Sequence, residues 1–141
     1  DIRLVHPAAK LGFVEITFGL LPDMSASQSL RRLVSLDRMK ELVMTGRRFS
    51  GEEAMRYGLA TELSETPLET ALELAAQIAA RNPDAVRAAK RVLNNSGLVD
   101  VAAGLAEEAA AMRALLGTPN QLEAITAGFE GRSPDFKDPG Q

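Results

Sequence analysis

Two patterns of apolar and polar positions divide this chain. Up to about residue 65 the apolar runs are short and broken by glycine and proline, and they predict strands at Ile2–Val5, Phe13–Phe18 and Leu59–Leu63. Helices are predicted between them, with apolar residues at helical spacing over Leu30–Val34 and Met39–Met44, ending at Thr45-Gly46. Ser50-Gly-Glu-Glu53 is a capping box opening a short helix that stops at Gly58. From Thr66 onward the pattern is helical. Leu68, Ala71, Leu72, Ala75, Ile78 and Ala79 make one stripe, behind a second capping box at Thr66-Pro-Leu-Glu69. Asn82 caps a helix whose face is Val86, Ala89 and Leu93. Another carries Leu98, Val101, Leu105, Ala109, Met112 and Leu116. The last starts at Thr118-Pro-Asn-Gln121, with Leu122, Ile125 and Phe129 inward and an irregular polar tail after Gly131. The expectation is a mixed strand and helix part over 1–65 and a helical packing or oligomerisation part over 66–141.

Charge changes the picture at one place. Between Leu11 and Leu30 there is no Lys, Arg or His, and the only charged residues are Glu15 and Asp23. Phe13, Val14, Ile16, Phe18, Leu20 and Leu21 surround them. Apolar surroundings without a cation disfavour the charged form of a carboxylate. Enzymes use that to obtain a carboxyl group able to exchange protons near neutral pH. The bland alternatives are a Glu15 facing solvent from a half-exposed strand and an Asp23 capping the helix after Pro22. Gly12 and Gly19 bracket the segment and allow sharp turns there.

The rest of the composition mainly excludes. With no cysteine and one histidine, there are no disulfides, no thiolate chemistry and no basis for a zinc site. His6, next to Pro7, reads as a turn residue. A net charge of −3 gives no reason to expect nucleic acid or an anionic membrane as partner. Arg31, Arg32, Arg38, Lys40, Arg47 and Arg48 form a basic stretch that reads as a solvated helix face rather than a phosphate site. The apolar runs are too short for a membrane span and no signal peptide is visible, so a cytoplasmic protein is expected. The opening Asp1-Ile-Arg-Leu-Val, strand-like and without Met, suggests the later part of a longer protein.

The order of motifs is distinctive. Leu11-Gly-Phe-Val-Glu15, Gly19-Leu-Leu-Pro22, Gln28-Ser-Leu-Arg-Arg-Leu-Val34, Leu42-Val-Met-Thr-Gly46, Ser50-Gly-Glu-Glu-Ala54, Gly58-Leu59 and Phe129-Glu-Gly-Arg132-Ser-Pro-Asp-Phe136 together resemble the C-terminal half of the enoyl-CoA hydratase/isomerase (crotonase) family. The resemblance implies an α/β fold, mostly α in this chain. The end of a crotonase-like ββα spiral core would be followed by a helical region forming homotrimers or dimers of trimers. It implies an acyl-CoA substrate, with CoA as part of the substrate, no metal and no redox cofactor. An upstream half would supply the adenine pocket, the oxyanion-hole amides and another catalytic acid.

Glu15 aligns with the glutamate that exchanges a proton at the acyl chain. Phe18, Pro22 and Met24 beside the acids, and Phe129 and Arg132 at positions that touch the CoA of a neighbouring subunit, are the substrate-binding candidates. The chain departs from the family at Pro22-Asp-Met-Ser-Ala-Ser-Gln28, where hydratases usually have Pro-Gly-Ala-Gly-Gly-Thr-Gln. An aspartate at that distance after the glutamate is the pattern of the dienoyl-CoA isomerase branch. Hydration of a 2-enoyl-CoA is the favoured reading and 3,5-2,4-dienoyl-CoA isomerisation by Glu15 and Asp23 the alternative. A non-catalytic oligomerisation module with the crotonase fold is the rival from another class.

Overall fold

Strands Leu4–Val5 (β1) and Glu62–Leu63 (β2) pair in parallel, with Leu4 beside Glu62 and Val5 beside Leu63. The computed structural model describes residues 1–138. Arg3 fixes the register from outside the ladder. Its carbonyl accepts from the Thr61 N–H at 2.8 Å, its Nε donates to the Leu59 carbonyl, and a terminal guanidinium nitrogen donates to the Gly58 carbonyl at 3.2 Å. An antiparallel bridge joins Leu11 to Phe49. Both predicted outer strands are therefore present, shortened to their paired residues.

The third is absent. Phe13–Phe18 is not extended, and Glu15–Phe18 forms a 3₁₀ turn that Gly19 ends in the left-handed region at φ 72°. Alternation of side chains suits a strand only where a partner backbone lies alongside. Here the local bonds are taken within the turn: Thr17 N–H to the Val14 carbonyl at 3.0 Å, Gly19 N–H to Ile16 at 3.1 Å and Leu20 N–H to Glu15 at 3.1 Å.

The helices are Ala26–Leu30 (α1), Leu36–Thr45 (α2), Gly51–Arg56 (α3), Pro67–Ala79 (α4), Pro83–Asn95 (α5), Val101–Leu115 (α6) and Pro119–Glu130 (α7). The capping box at Ser50 is formed in both directions, at 3.2 Å to the Glu53 N–H and 3.0 Å from the Ser50 N–H to Glu53. Asn82, Asp100 and Thr118 cap α5, α6 and α7. Gly46 and Gly131 end α2 and α7 with left-handed conformations, the geometry glycine adopts without steric cost.

The chain forms two compact units, dividing between Glu73 and Leu74. In the first, Leu42, Phe49, Ala54 and Ala60 form the core, with Val5, Leu11, Phe13, Tyr57 and Leu59 packed against it. Leu42 is 1% exposed and anchors α2. The His6-Pro7 turn lies hard against the start of α3, where a side chain at Gly51 would collide with the His6 carbonyl. His6 serves that turn, its Nδ1 accepting from the Ala8 N–H at 3.0 Å.

In the second unit, Ala88, Ala111, Ala127 and Asn120 are the buried residues. The expectation that Leu122, Ile125 and Phe129 point inward fails, because all three are exposed, Phe129 at 89%. Helix α7 is amphipathic as its sequence indicates, but it packs through its small residues. Amphipathicity marks an apolar face without saying what covers it.

Candidate functional site

Glu15 opens the 3₁₀ turn, and the bonds within that turn hold it rigidly. The Val14 carbonyl accepts from both the Thr17 N–H and the Thr17 hydroxyl, the latter at 2.7 Å. The turn and the loop after it wall a groove of about 550 Å³, lined by Glu15, Ile16, Gly19, Leu20, Leu21 and Asp23. Both acids singled out in the sequence therefore share one lining, among aliphatic side chains. The Oε2 atom of Glu15 is buried and makes no hydrogen bond. A buried polar atom without a partner costs free energy, so one beside a groove marks a place where a ligand or water would complete the bonding.

Asp23 does not cap α1. Ser25 occupies the N-cap position, in the left-handed region at φ 62°, and its side chain makes no capping bond. The Ser25 N–H instead donates to the Asp23 carbonyl, closing a tight turn that leaves the Asp23 side chain exposed at the groove. A non-glycine residue in this conformation is strained, and such strain is concentrated at functional segments. The other substrate-binding candidates nearby are placed differently. Pro22 is half-buried, while Phe18 and Met24 stand in solvent at 76% and 94% exposure, and none of the three lines the groove. The 3₁₀ turn accounts for Phe18, since it abolishes the alternation that would have set Phe18 on a strand face. Leu20 and Leu21 supply the apolar wall instead, and their signal in the sequence was adjacency to both acids.

Two members of the basic stretch, Arg38 and Arg47, are wired into the fold. Arg47 donates to Glu41 at 2.5 Å, to Glu53 at 3.0 Å and to the Tyr57 hydroxyl at 3.1 Å, and that hydroxyl donates to Glu53 at 3.0 Å. Arg38 bonds Glu41 at 3.1 Å and lies 4.6 Å from the centre of the Tyr57 ring. The Arg47 hydrogen bond holds the Glu41 carboxyl below its usual range. The Ser50 N–H does so for Glu53, followed by Tyr57 and Arg47. Arg47 is correspondingly held in its charged form, first by Glu41. This cluster latches α2 to α3 and leaves Arg47 no donor to spare for a phosphate.

In the second unit Phe129 presents its ring to solvent. Arg132 forks onto Glu123 at 2.5 and 3.0 Å and also bonds Glu130 at 2.6 Å and the Ser133 carbonyl at 3.2 Å. That fork holds Glu123 at about 2 and strengthens the charge on Arg132 in return. Glu123 also accepts from the Asp135 N–H at 2.8 Å, so the pair clamps the tail. Asn120 adds a second clamp, donating to Asp84 and to the Lys137 carbonyl, each at 2.8 Å, and accepting from the Lys137 N–H at 2.9 Å. Among the described residues no group of acids and histidine is placed to hold a metal ion. No described helix is long and apolar enough to cross a membrane.

The sequence profile of enoyl-CoA hydratase/isomerase matches residues 1–139. The chain is 34% identical over 139 residues to the 2,3-dehydroadipyl-CoA hydratase of Escherichia coli (strain K12), covering 97% of this chain and 54% of that protein. Against the short-chain-enoyl-CoA hydratase of Clostridium acetobutylicum it is 33% identical over 134 residues, covering 94% of this chain and 51% of that one. The crystal structure of an enoyl-CoA hydratase from Bacillus anthracis superposes with a TM-score of 0.91 at 38% identity, covering 97% of this chain and 54% of that structure. The fold is thus that of part of a crotonase, and the chain spans about half the length of the curated relatives it matches.

Proposed function

The chain belongs to the enoyl-CoA hydratase/isomerase family, and on that premise we propose that the protein hydrates 2-enoyl-CoA thioesters with Glu15 as a proton-exchanging carboxyl group. Water adds across the conjugated double bond, its hydroxyl going to C3 and a proton to C2. A carboxyl group beside the acyl chain serves that proton transfer. The observation that carries the reading is the buried, unpartnered Oε2 of Glu15 at an aliphatic groove. Leu20, Leu21 and Ile16 would meet the hydrocarbon chain, and the exposed Phe129 ring would meet the CoA of a neighbouring subunit. Arg132, with its donors taken by Glu123 and Glu130, we read as holding the tail. The exposed Leu68, Leu72, Met112, Leu122 and Ile125 support homotrimer formation, or pairing of trimers, through the helical region. The reading calls for no metal or redox cofactor, and for a cytoplasmic protein.

Steady-state kinetics on the full-length protein test it. Glu15→Gln is expected to lower kcat for a 2-enoyl-CoA by about 100-fold or more, with KM little changed. A variant as fast as the wild type would end the reading.

One observation favours a second chemistry: Asp23 is free of any capping role and lines the same groove. Isomerising a 3,5-dienoyl-CoA to the 2,4-isomer removes a proton at C2 and returns one at C6, work suited to two carboxyl groups on one wall. Turnover of the dienoyl thioester that is lost in Asp23→Ala would establish this reading. Hydration undiminished by Asp23→Ala, with no dienoyl turnover, would remove it. Absence of turnover with either thioester would leave the non-catalytic module.

A further inference from the structure

The turn that carries Glu15 rests on a residue with no side chain. Gly46 ends α2 at φ 62°, and its N–H returns to the Leu42 carbonyl at 3.2 Å. A Cβ at this position would lie 2.8 Å from Cγ2 of Ile16 and 3.1 Å from Cγ2 of Thr17, the two residues that follow Glu15. Non-bonded carbons at such separations are driven apart. Ile16 and Thr17 branch at Cβ and are stiff at χ1. The Thr17 hydroxyl, donating to the Val14 carbonyl at 2.7 Å, fixes its rotamer, so neither methyl turns aside freely. Leu42 roots α2 in the core, while the turn is closed on itself by the bonds from Thr17, Gly19 and Leu20. A side chain at 46 would therefore displace the turn as a body, together with the carboxyl group at its start.

We propose that Gly46 is a positioning residue whose bare backbone seats the Ile16–Thr17 edge of the turn and thereby sets where the Glu15 carboxyl stands in the groove. This rests on Glu15 being the proton-exchanging group. Proton transfer is sensitive to displacements well under the size of an atom, whereas loose apolar contacts with an acyl chain are less so. The seat therefore governs kcat more than KM.

The test compares variants of the full-length protein with 2-butenoyl-CoA. Gly46→Ala combines the collision with backbone strain, and Gly46→Asn keeps the collision with less strain, because asparagine tolerates the left-handed region. Both are expected to lower kcat at least tenfold with KM within about twofold. Gly117→Ala is the strain control: Gly117 is also left-handed, at φ 75°, but a Cβ there meets nothing within 4 Å. It should lower the melting temperature like Gly46→Ala yet leave kcat unchanged. Adding Thr17→Ser to Gly46→Ala removes one clashing methyl, keeps the hydroxyl bond to the Val14 carbonyl, and should raise kcat above that of Gly46→Ala alone. Wild-type kcat in Gly46→Asn, or an equal loss in Gly117→Ala, would overturn the proposal while Glu15→Gln remains inactive. Full activity in Glu15→Gln would instead overturn the functional reading beneath it.

Discussion

The two units bury different things. The first encloses Leu30, Val34, Leu42 and Phe49 with two alanines, whereas the second encloses three alanines and the Asn120 amide, with Leu93, Leu105, Met112 and Phe129 among its exposed side chains. In the first unit the interior determines the path of the backbone. Short segments turn wherever a large side chain or a close approach requires, as at the 3₁₀ turn and at Gly51. In the second, each helix is delimited by its own cap, and polar clamps fasten the tail. The acid-lined groove belongs to the unit built by packing, where backbone geometry can depart from local preference.

Three measurements bear on this contrast. The largest effect is expected from Leu42→Ala, which should cost about 3 kcal/mol of stability by opening a cavity in a filled core. Denaturant melts give the magnitude, and hydrogen exchange should place the loss in residues 1–73. Equal loss of protection along α5 and α6 would erase the distinction between the units. Next, Asn120→Ala should cost about 2 kcal/mol, because a buried amide leaves its partners unsatisfied. Faster exchange of the Lys137 amide would report it directly, and an unchanged amide would show that the tail is held by something other than this clamp.

The smallest effect concerns pH. Glu123 is held at about 2 in the folded protein against an ordinary value of 4.5, so on acidification the unfolded chain takes up its proton first. The contribution of the Arg132 clamp is thus complete above about 4.5 and fades as the pH falls toward 2. The protection of the Asp135 amide, its exchange rate measured against that of an unstructured peptide at the same pH, should fall through that range, and Glu123→Gln should abolish the dependence. A tail equally protected at pH 5 and pH 2.5 would contradict it.

Much of this was legible in the sequence where the information is local. The box at Ser50, the caps at Asn82 and Thr118 and the helix end at Gly46 follow from side chains that satisfy the nearest backbone groups. The acid pair was visible because its two charges stand alone in an apolar stretch. What failed was decided at a distance. Phe13–Phe18 has the alternation of a strand but no partner backbone beside it, and Phe18 leaves the groove lining with that strand. Helix α7 has its apolar face where the spacing indicates, yet Phe129 faces water.

The parallel pairing of Leu4 with Glu62 has a consequence for biosynthesis. A ribosome delivering this polypeptide must add nearly sixty more residues after β1 before its mate exists, and the Arg3 contacts to Leu59 and Thr61 wait with it. Each helix of the later region closes its first turn with neighbours only a few positions away. Slow closure is expected of such long-range pairings, so in a nascent chain β1 should stay unpaired long after its own residues have emerged, an open strand edge that a chaperone would find.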